Sequence, residues 1–191
     1  MRTHYGDRGL TYFNLTKRLK KDNSYFEYLN YLDELMVLIR KEGSIINILE
    51  YREYINSILI NVQNSLYLLA SFPWLADKCD NNKCLELINR VYNEEFEKLI
   101  DRVTELSGPT TSFYKFNHPG AAHLNLLRVK ARQLERAYWN QTEIPHCIEL
   151  NRFFNRLSTL FFELARLVEL KTIKKLERYD LSCKINWSIN L

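Results

Sequence analysis

Residues 124–136, LNLLRVKARQLER, carry two stripes on one helix. Leu124, Leu127, Ala131 and Leu134 recur at three- and four-residue steps, the period of an amphipathic helix with a buried face. Asn125, Arg128, Arg132 and Glu135 stand at i, i+3, i+7 and i+10 and point the same way, beside the first stripe. Arginines four residues apart repel each other unless an anion or carboxylates lie between them. The second stripe is therefore either a salt-bridged surface or one wall of a site.

The same helical period extends in both directions. A first helix is expected from about Ser24 to Arg40, burying Phe26, Leu29, Leu32, Leu35 or Met36, and Ile39. A second covers roughly Ile45 to Ser71, with Ile55, Leu59, Val62, Leu66 and Leu69 inward, and stops at Phe72-Pro73. A third runs from about Lys83 to Leu106 through Ile88, Val91, Phe96, Leu99 and Val103. Ser107-Gly108-Pro109 breaks the chain, and an aromatic loop, SFYKFNHPG, follows. The quoted stretch lies in a fourth helix, from near Ala121 to near Asn140. A fifth begins around Pro145 and continues at least to Glu169 on Phe153, Leu157, Leu160, Leu164 and Leu167. No internal repeat and no useful strand-period segment is present. The expected fold is all-α, a bundle of about five helices with short connections.

Composition agrees. The 191 residues are 46% hydrophobic and 26% charged, with only five glycines and four prolines, which suits long helices and excludes a disordered chain. A net charge of +4 fits an anionic small ligand and is too weak to argue for nucleic acid. No apolar run reaches membrane-spanning length, so no membrane partner is expected. The start, MRTHYGDRGL, lacks the apolar core of a signal peptide. Cys79, Cys84, Cys147 and Cys183 show no metal-site spacing, and no metal held by protein ligands is expected. Four thiols in a reducing cytoplasm is the expected state, with Cys79–Cys84 the pair able to close under oxidation.

Polar residues that could face inward gather in four places. GDRGLT, residues 6–11, has two glycines and is followed by Lys17, Arg18, Lys20 and Lys21. Such a segment is either a simple turn or a backbone nest for phosphate oxygens. Asp33 follows Leu32 on the first helix. The Arg128, Arg132, Glu135 row is the third. The fourth is FFNRLSTLFFELAR, 153–166, where Asn155 and Arg156 interrupt heavily apolar sequence. His118 and His123 lie too close to Pro119-Gly120 to form a helical ligand pair.

Taken in order, THYGDRGLT, KKD, LDEL, FNHPG, LNLLRVKARQLER and FNRLSTLFFELAR resemble the PduO-type ATP:cob(I)alamin adenosyltransferases over about residues 2–170. The resemblance implies a five-helix bundle that forms a homotrimer with sites between subunits. It implies transfer of the 5′-deoxyadenosyl group of ATP to the Co(I) of a reduced corrinoid, releasing triphosphate, with ATP, Mg²⁺ and cobalamin as its small molecules. Its implied protein partner is a reductase or a cobalamin-dependent acceptor enzyme. Residues 1–23 become a phosphate-binding segment, 24–170 the bundle, and 171–191 a tail in the same domain or partly ordered. Gly6, Asp7, Gly9, Thr11 and Lys21 match the phosphate loop. Arg132, Glu135, Asn155 and Arg156 match ATP contacts. Asp33 and Arg128 match a salt bridge on the corrinoid side, and Phe116 the aromatic at the lower face of cobalt. Arg132, Arg128 and Asp33 are the catalytic candidates. Departures fall at Thr159, Asn125 and the HPGA loop, and Tyr25 stands where an arginine is expected. On these departures a second reading stays open, an ATP- or corrinoid-binding homologue acting as carrier or regulator. A third is a helical interaction module with a likeness of fold alone.

Overall fold

In the computed structural model, residues 5–42, 51–73, 81–110, 112 and 114–178 are described. The helices are α1 (Ser24–Glu42), α2 (Arg52–Ala70), α3 (Asn81–Val91), α4 (Glu94–Ser107), α5 (Pro119–Asn140) and α6 (Ile148–Ile173). Short strands β1 (Leu10–Tyr12) and β2 (Arg18–Lys20) form an antiparallel hairpin, and β3 (Tyr114–Lys115) pairs antiparallel with β4 (Glu177–Arg178). The all-α bundle stands as expected, with these small ribbons added at its edges.

α6 is the central helix. From Leu160 to Glu169 nearly every side chain is buried, three charged ones among them. α5 packs along it most extensively, α1 lies on α5, and α4 lies on the other flank of α6. The expected stripes of α2, α5 and α6 are the buried ones. On α1 the inward face is rotated slightly, so that Tyr25 and Tyr28 are buried while Phe26, Leu29 and Met36 are only partly covered. Tyr25 meets Phe13 edge-on at 4.7 Å, and Tyr28 packs on Tyr138 and Phe154 at 6.0 and 6.1 Å. Aromatic area, not charge, therefore occupies the position where the resemblance expects an arginine.

The expected third helix is two. Asn93 is extended (φ −154°, ψ −178°), and its side chain accepts the N–H groups of Glu95 and Phe96. This cap starts α4, whose first turn holds Glu94, Glu95 and Glu97 at the positive end of the helix dipole. Asn followed by acidic residues is a helix start that the apolar period alone does not reveal. α5 starts two residues earlier than expected, because Pro119 fits the first helical position and His118 Nδ1 accepts the Gly120 N–H. α6 runs past Glu169 to Ile173 and ends on Lys174 in the left-handed region. Cys79, Cys183 and Trp187 lie outside the described residues.

Candidate functional site

Two groups of the expected site residues assemble separately. In the first, the β1–β2 hairpin carries the N-terminal loop. A 3₁₀ turn, Tyr5–Arg8, leads to Gly9, whose φ of +72° only glycine adopts without strain. Lys21 N–H donates to the Gly9 carbonyl at 2.9 Å, closing the base of the hairpin. Lys21 Nζ would lie 3.4 Å from a Cβ at Gly6, so the ammonium stands beside the loop backbone. Asp7 is exposed in the turn, and Thr11 is half-buried opposite Leu19. The hairpin's own turn is fixed by buried Asn14, whose Oδ1 accepts the N–H of Lys17 at 2.6 Å and of Thr16 at 3.2 Å. Lys17 Nζ then reaches Glu143 at 2.6 Å, and Asn23 donates to the same carboxylate.

The second group lines a cleft of about 280 Å³ between α5 and α6. Asn125, Arg128 and Arg132 form one wall, Ser158 and Thr159 the other, with Tyr114, Phe116 and Phe162 as its aromatic side. Phe116 and Phe162 meet edge-to-face at 6.1 Å, and the Arg128 guanidinium lies 6.0 Å from the Phe162 ring. Arg128 Nε donates to Asn125 Oδ1 at 2.8 Å, which orients the guanidinium. Burial, and then the charge of Arg132, pull the Arg128 guanidinium below its ordinary value. No carboxylate pairs with Arg128 or Arg132 among the described residues. Among the described residues, the repulsion legible in the spacing is thus left without a compensating carboxylate.

Glu135 and Asn155 come together next to this cleft, Asn155 Nδ2 donating to Glu135 Oε1 at 3.2 Å. Arg156 does not join them. It turns toward α4, where its Nε is 3.3 Å from Glu97, in a separate polar depression. The expected Asp33–Arg128 salt bridge is also not formed. Asp33 is mostly exposed on α1, and partial desolvation by its surroundings raises its carboxyl above the ordinary value with no cation offsetting it among the described residues. The ion pair that joins the two helices is its neighbour's, Glu34 to Lys130 at 2.6 Å. A helical residue one position along points about 100° away, which is enough to hand the contact to Glu34.

Sequence reasoning missed Glu163, Arg166 and Glu169, which are 4%, 1% and 0% exposed. They stand three residues apart in FFELARLVEL, and charges at that spacing within an otherwise apolar run were the available signal. Glu169 accepts the N–H groups of Asn117 and His118, both at 2.9 Å, and so secures the backbone beside Phe116.

Residues 1–168 match the profile of a family described as cobalamin adenosyltransferase. Similar solved structures are variants of a PduO-type ATP:corrinoid adenosyltransferase from Lactobacillus reuteri. An arginine-to-lysine variant complexed with ATP is 20% identical at a TM-score of 0.72, over 94% of this chain and 100% of that one. A phenylalanine-to-histidine variant complexed with cobalamin and ATP is 19% identical at a TM-score of 0.72, over 97% and 100%. A phenylalanine-to-alanine variant complexed with the same two molecules is 20% identical at 0.70, over 93% and 98%. No curated protein matches by sequence.

Proposed function

The chain belongs to the cobalamin adenosyltransferase family, and from that premise we infer that the α5–α6 cleft is where its two substrates meet. The protein is a transferase that moves the 5′-deoxyadenosyl group of ATP to the Co(I) of a reduced corrinoid and releases triphosphate. Co(I) attacks the 5′ carbon and the carbon–oxygen bond to triphosphate breaks, so the protein has little proton transfer to perform. It has to align the carbon with cobalt and stabilise the departing anion.

One observation carries the assignment of roles. Arg128 and Arg132, with no carboxylate partner among the described residues, stand on one wall of a cleft that also has an aromatic side. The arginines suit the triphosphate and the propionamide-bearing corrinoid edge, and Phe116 suits the lower face of cobalt, where it excludes water. Glu135 with Asn155 would hold the adenosine portion, while Arg156 would leave Glu97 to reach the phosphates. Gly6, Asp7, Gly9, Thr11 and Lys21 would enclose the triphosphate from the hairpin. Among the described residues no group of three or more His, Cys, Asp or Glu side chains could hold a metal ion. Mg²⁺ would accompany the triphosphate near Asp7, since this ion keeps phosphate and water ligands.

The hairpin and the Arg132–Glu135–Asn155 row make no hydrogen bond or ion pair with each other among the described residues. In a homotrimer with sites between subunits, one subunit's hairpin would complete the site of the next. No helix of the described residues is long and apolar enough to cross a membrane. We place the protein in the cytoplasm, where a reductase or acceptor enzyme would supply or receive the corrinoid.

The test is an anaerobic assay with ATP, Mg²⁺ and chemically reduced cobalamin, following the adenosylcobalamin spectrum. Product should form, and Arg132→Ala should lower turnover by about 100-fold, the size of losing one electrostatic donor to the developing anion. Equal turnover in the variant would remove the cleft from the reaction.

A further inference from the structure

Glu163, Arg166 and Glu169 are buried charges that do not line the cleft. A buried charge is unfavourable unless hydrogen bonds satisfy it, so what these three hold is informative. Arg166 collects the end of α4. Its Nη2 donates to the carbonyls of Ser107, Gly108 and Pro109 at 3.1, 2.8 and 3.0 Å. Its Nη1 donates to Thr110 Oγ1 at 2.6 Å and to Glu163 at 2.5 Å. Glu163 in turn accepts the hydroxyls of Ser107 and Thr110, at 2.7 and 2.9 Å. One helical turn further, Glu169 takes the N–H groups of Asn117 and His118, one on each oxygen.

Both ends of the connection between α4 and α5 are thereby fastened to a single helix. Between the fastened ends lie Tyr114 and Phe116. The Arg166 guanidinium sits 5.3 Å from the Tyr114 ring, and Phe162, the residue before Glu163, packs on Phe116. A ring held only by side-chain packing can shift with its loop. A backbone held at both ends by charge-assisted hydrogen bonds to buried side chains cannot shift without breaking them.

We propose that Glu163, Arg166 and Glu169 are positioning residues that set the depth of Phe116 in the cleft, and so govern the corrinoid half of the reaction. This rests on the reading of Phe116 as the aromatic at the lower face of cobalt. Misplacement of a positioning group by about 1 Å can cost on the order of 100-fold in rate, so a fixed loop matters. The ATP half should be indifferent, because neither fastened end carries a residue of the adenosine or phosphate set.

The test compares Glu169→Gln, Thr110→Val and Phe116→Ala in the full chain. A glutamine accepts one of the two N–H groups and opposes the other with its own amide hydrogens. Glu169→Gln should raise the corrinoid KM or lower kcat by about tenfold, with the ATP KM within about twofold of wild type. The visible spectrum of a Co(II) corrinoid bound with saturating ATP should retain more of the lower-ligand-bound form. Amide exchange should accelerate at 114–118 and not in α2. Thr110 is exposed, so Thr110→Val tests the Arg166 end even where Glu169→Gln does not fold, with the same signs and a smaller effect. Combining either change with Phe116→Ala should add little beyond Phe116→Ala alone. Strict additivity, or faster loop exchange with a wild-type corrinoid spectrum, overturns the proposal. A wild-type spectrum in Phe116→Ala would remove the reading of Phe116 itself, and the positioning claim with it.

Discussion

Asp33 is a mostly exposed carboxylate on α1 whose ordinary acidity is weakened by partial desolvation, and no cation among the described residues offsets that cost. Its folded-state value lies above its unfolded one, so the ionised form is disfavoured on folding. The penalty is absent at pH below the unfolded value and sets in as pH rises through the raised one. Asp33→Asn removes it. The substrate-free variant should melt at or slightly above the wild-type temperature at pH 7, and the difference should vanish in acid. Its corrinoid affinity and turnover should nevertheless fall, with ATP affinity preserved, if the carboxylate meets Arg128 only when substrate is bound. Arg128→Lys, which loses the bidentate guanidinium, should act in the same sense. Thermal melts of the two variants and their double should be additive without substrate and coupled with it. Coupling in the empty protein would mean the pair already exists there.

At the scale of elements, the N-terminal hairpin is seated on the bundle by apolar and polar contacts together. Phe13 packs into the core, and Lys17 and Asn23 converge on Glu143 in the α5–α6 turn. That turn is rigid because buried Gln141 accepts the N–H groups of Glu143 and Ile144 and donates to the Ile144 carbonyl. The hydrogen bond from Lys17 holds the Glu143 carboxyl below the ordinary carboxylate value. A depressed acid contributes its stability above the unfolded value and loses it as pH falls through the folded one. The seat should therefore persist through mild acid and fail only below the usual carboxylate range. Half of Lys17 is exposed, with a side-chain accessibility of 52%, so the pair is worth about 1 kcal/mol or less. Glu143→Lys should raise the KM for ATP by a few-fold, about 1 kcal/mol on the logarithmic scale, and leave the corrinoid KM unchanged. Lys17→Glu combined with it should restore most of the loss. Steady-state kinetics with each substrate varied checks this, and a charge swap without rescue would mean that the Glu143 contact does not seat the hairpin.

For the molecule as a whole, the proposed trimer would make the hairpin and the arginine cleft two half-sites on one bundle. A trimer that joins them between neighbours makes a distinct prediction. Lys21→Ala and Arg132→Ala chains should each be nearly inactive. Trimers assembled from an equal mixture should recover about a quarter of wild-type activity, since that fraction of neighbour pairs brings together an intact hairpin and an intact cleft. Light scattering should report three chains for both variants and for the mixture. Mixed trimers without activity would put each site within one subunit.

The sequence by itself determined the bundle, because a 3.6-residue apolar period repeated over five segments leaves few other ways to bury those stripes. It also placed Asn125, Arg128 and Arg132 on one face, since that follows from helical geometry alone, and their shared cleft bears this out. Periodicity gives direction around a helix and not the partner across it. Whether Asp33 or Glu34 meets α5 depends on how α1 is rotated, and the burial of Tyr25 and Tyr28 set that rotation. The direction of Arg156 was likewise decided by Glu97 on α4, a helix whose separate start at Asn93 rests on a capping contact. Arg166 and Glu169 read as ordinary charges until folding buried them against backbone groups distant in sequence. Only the tertiary structure could assign them a role, because a buried charge is defined by what surrounds it.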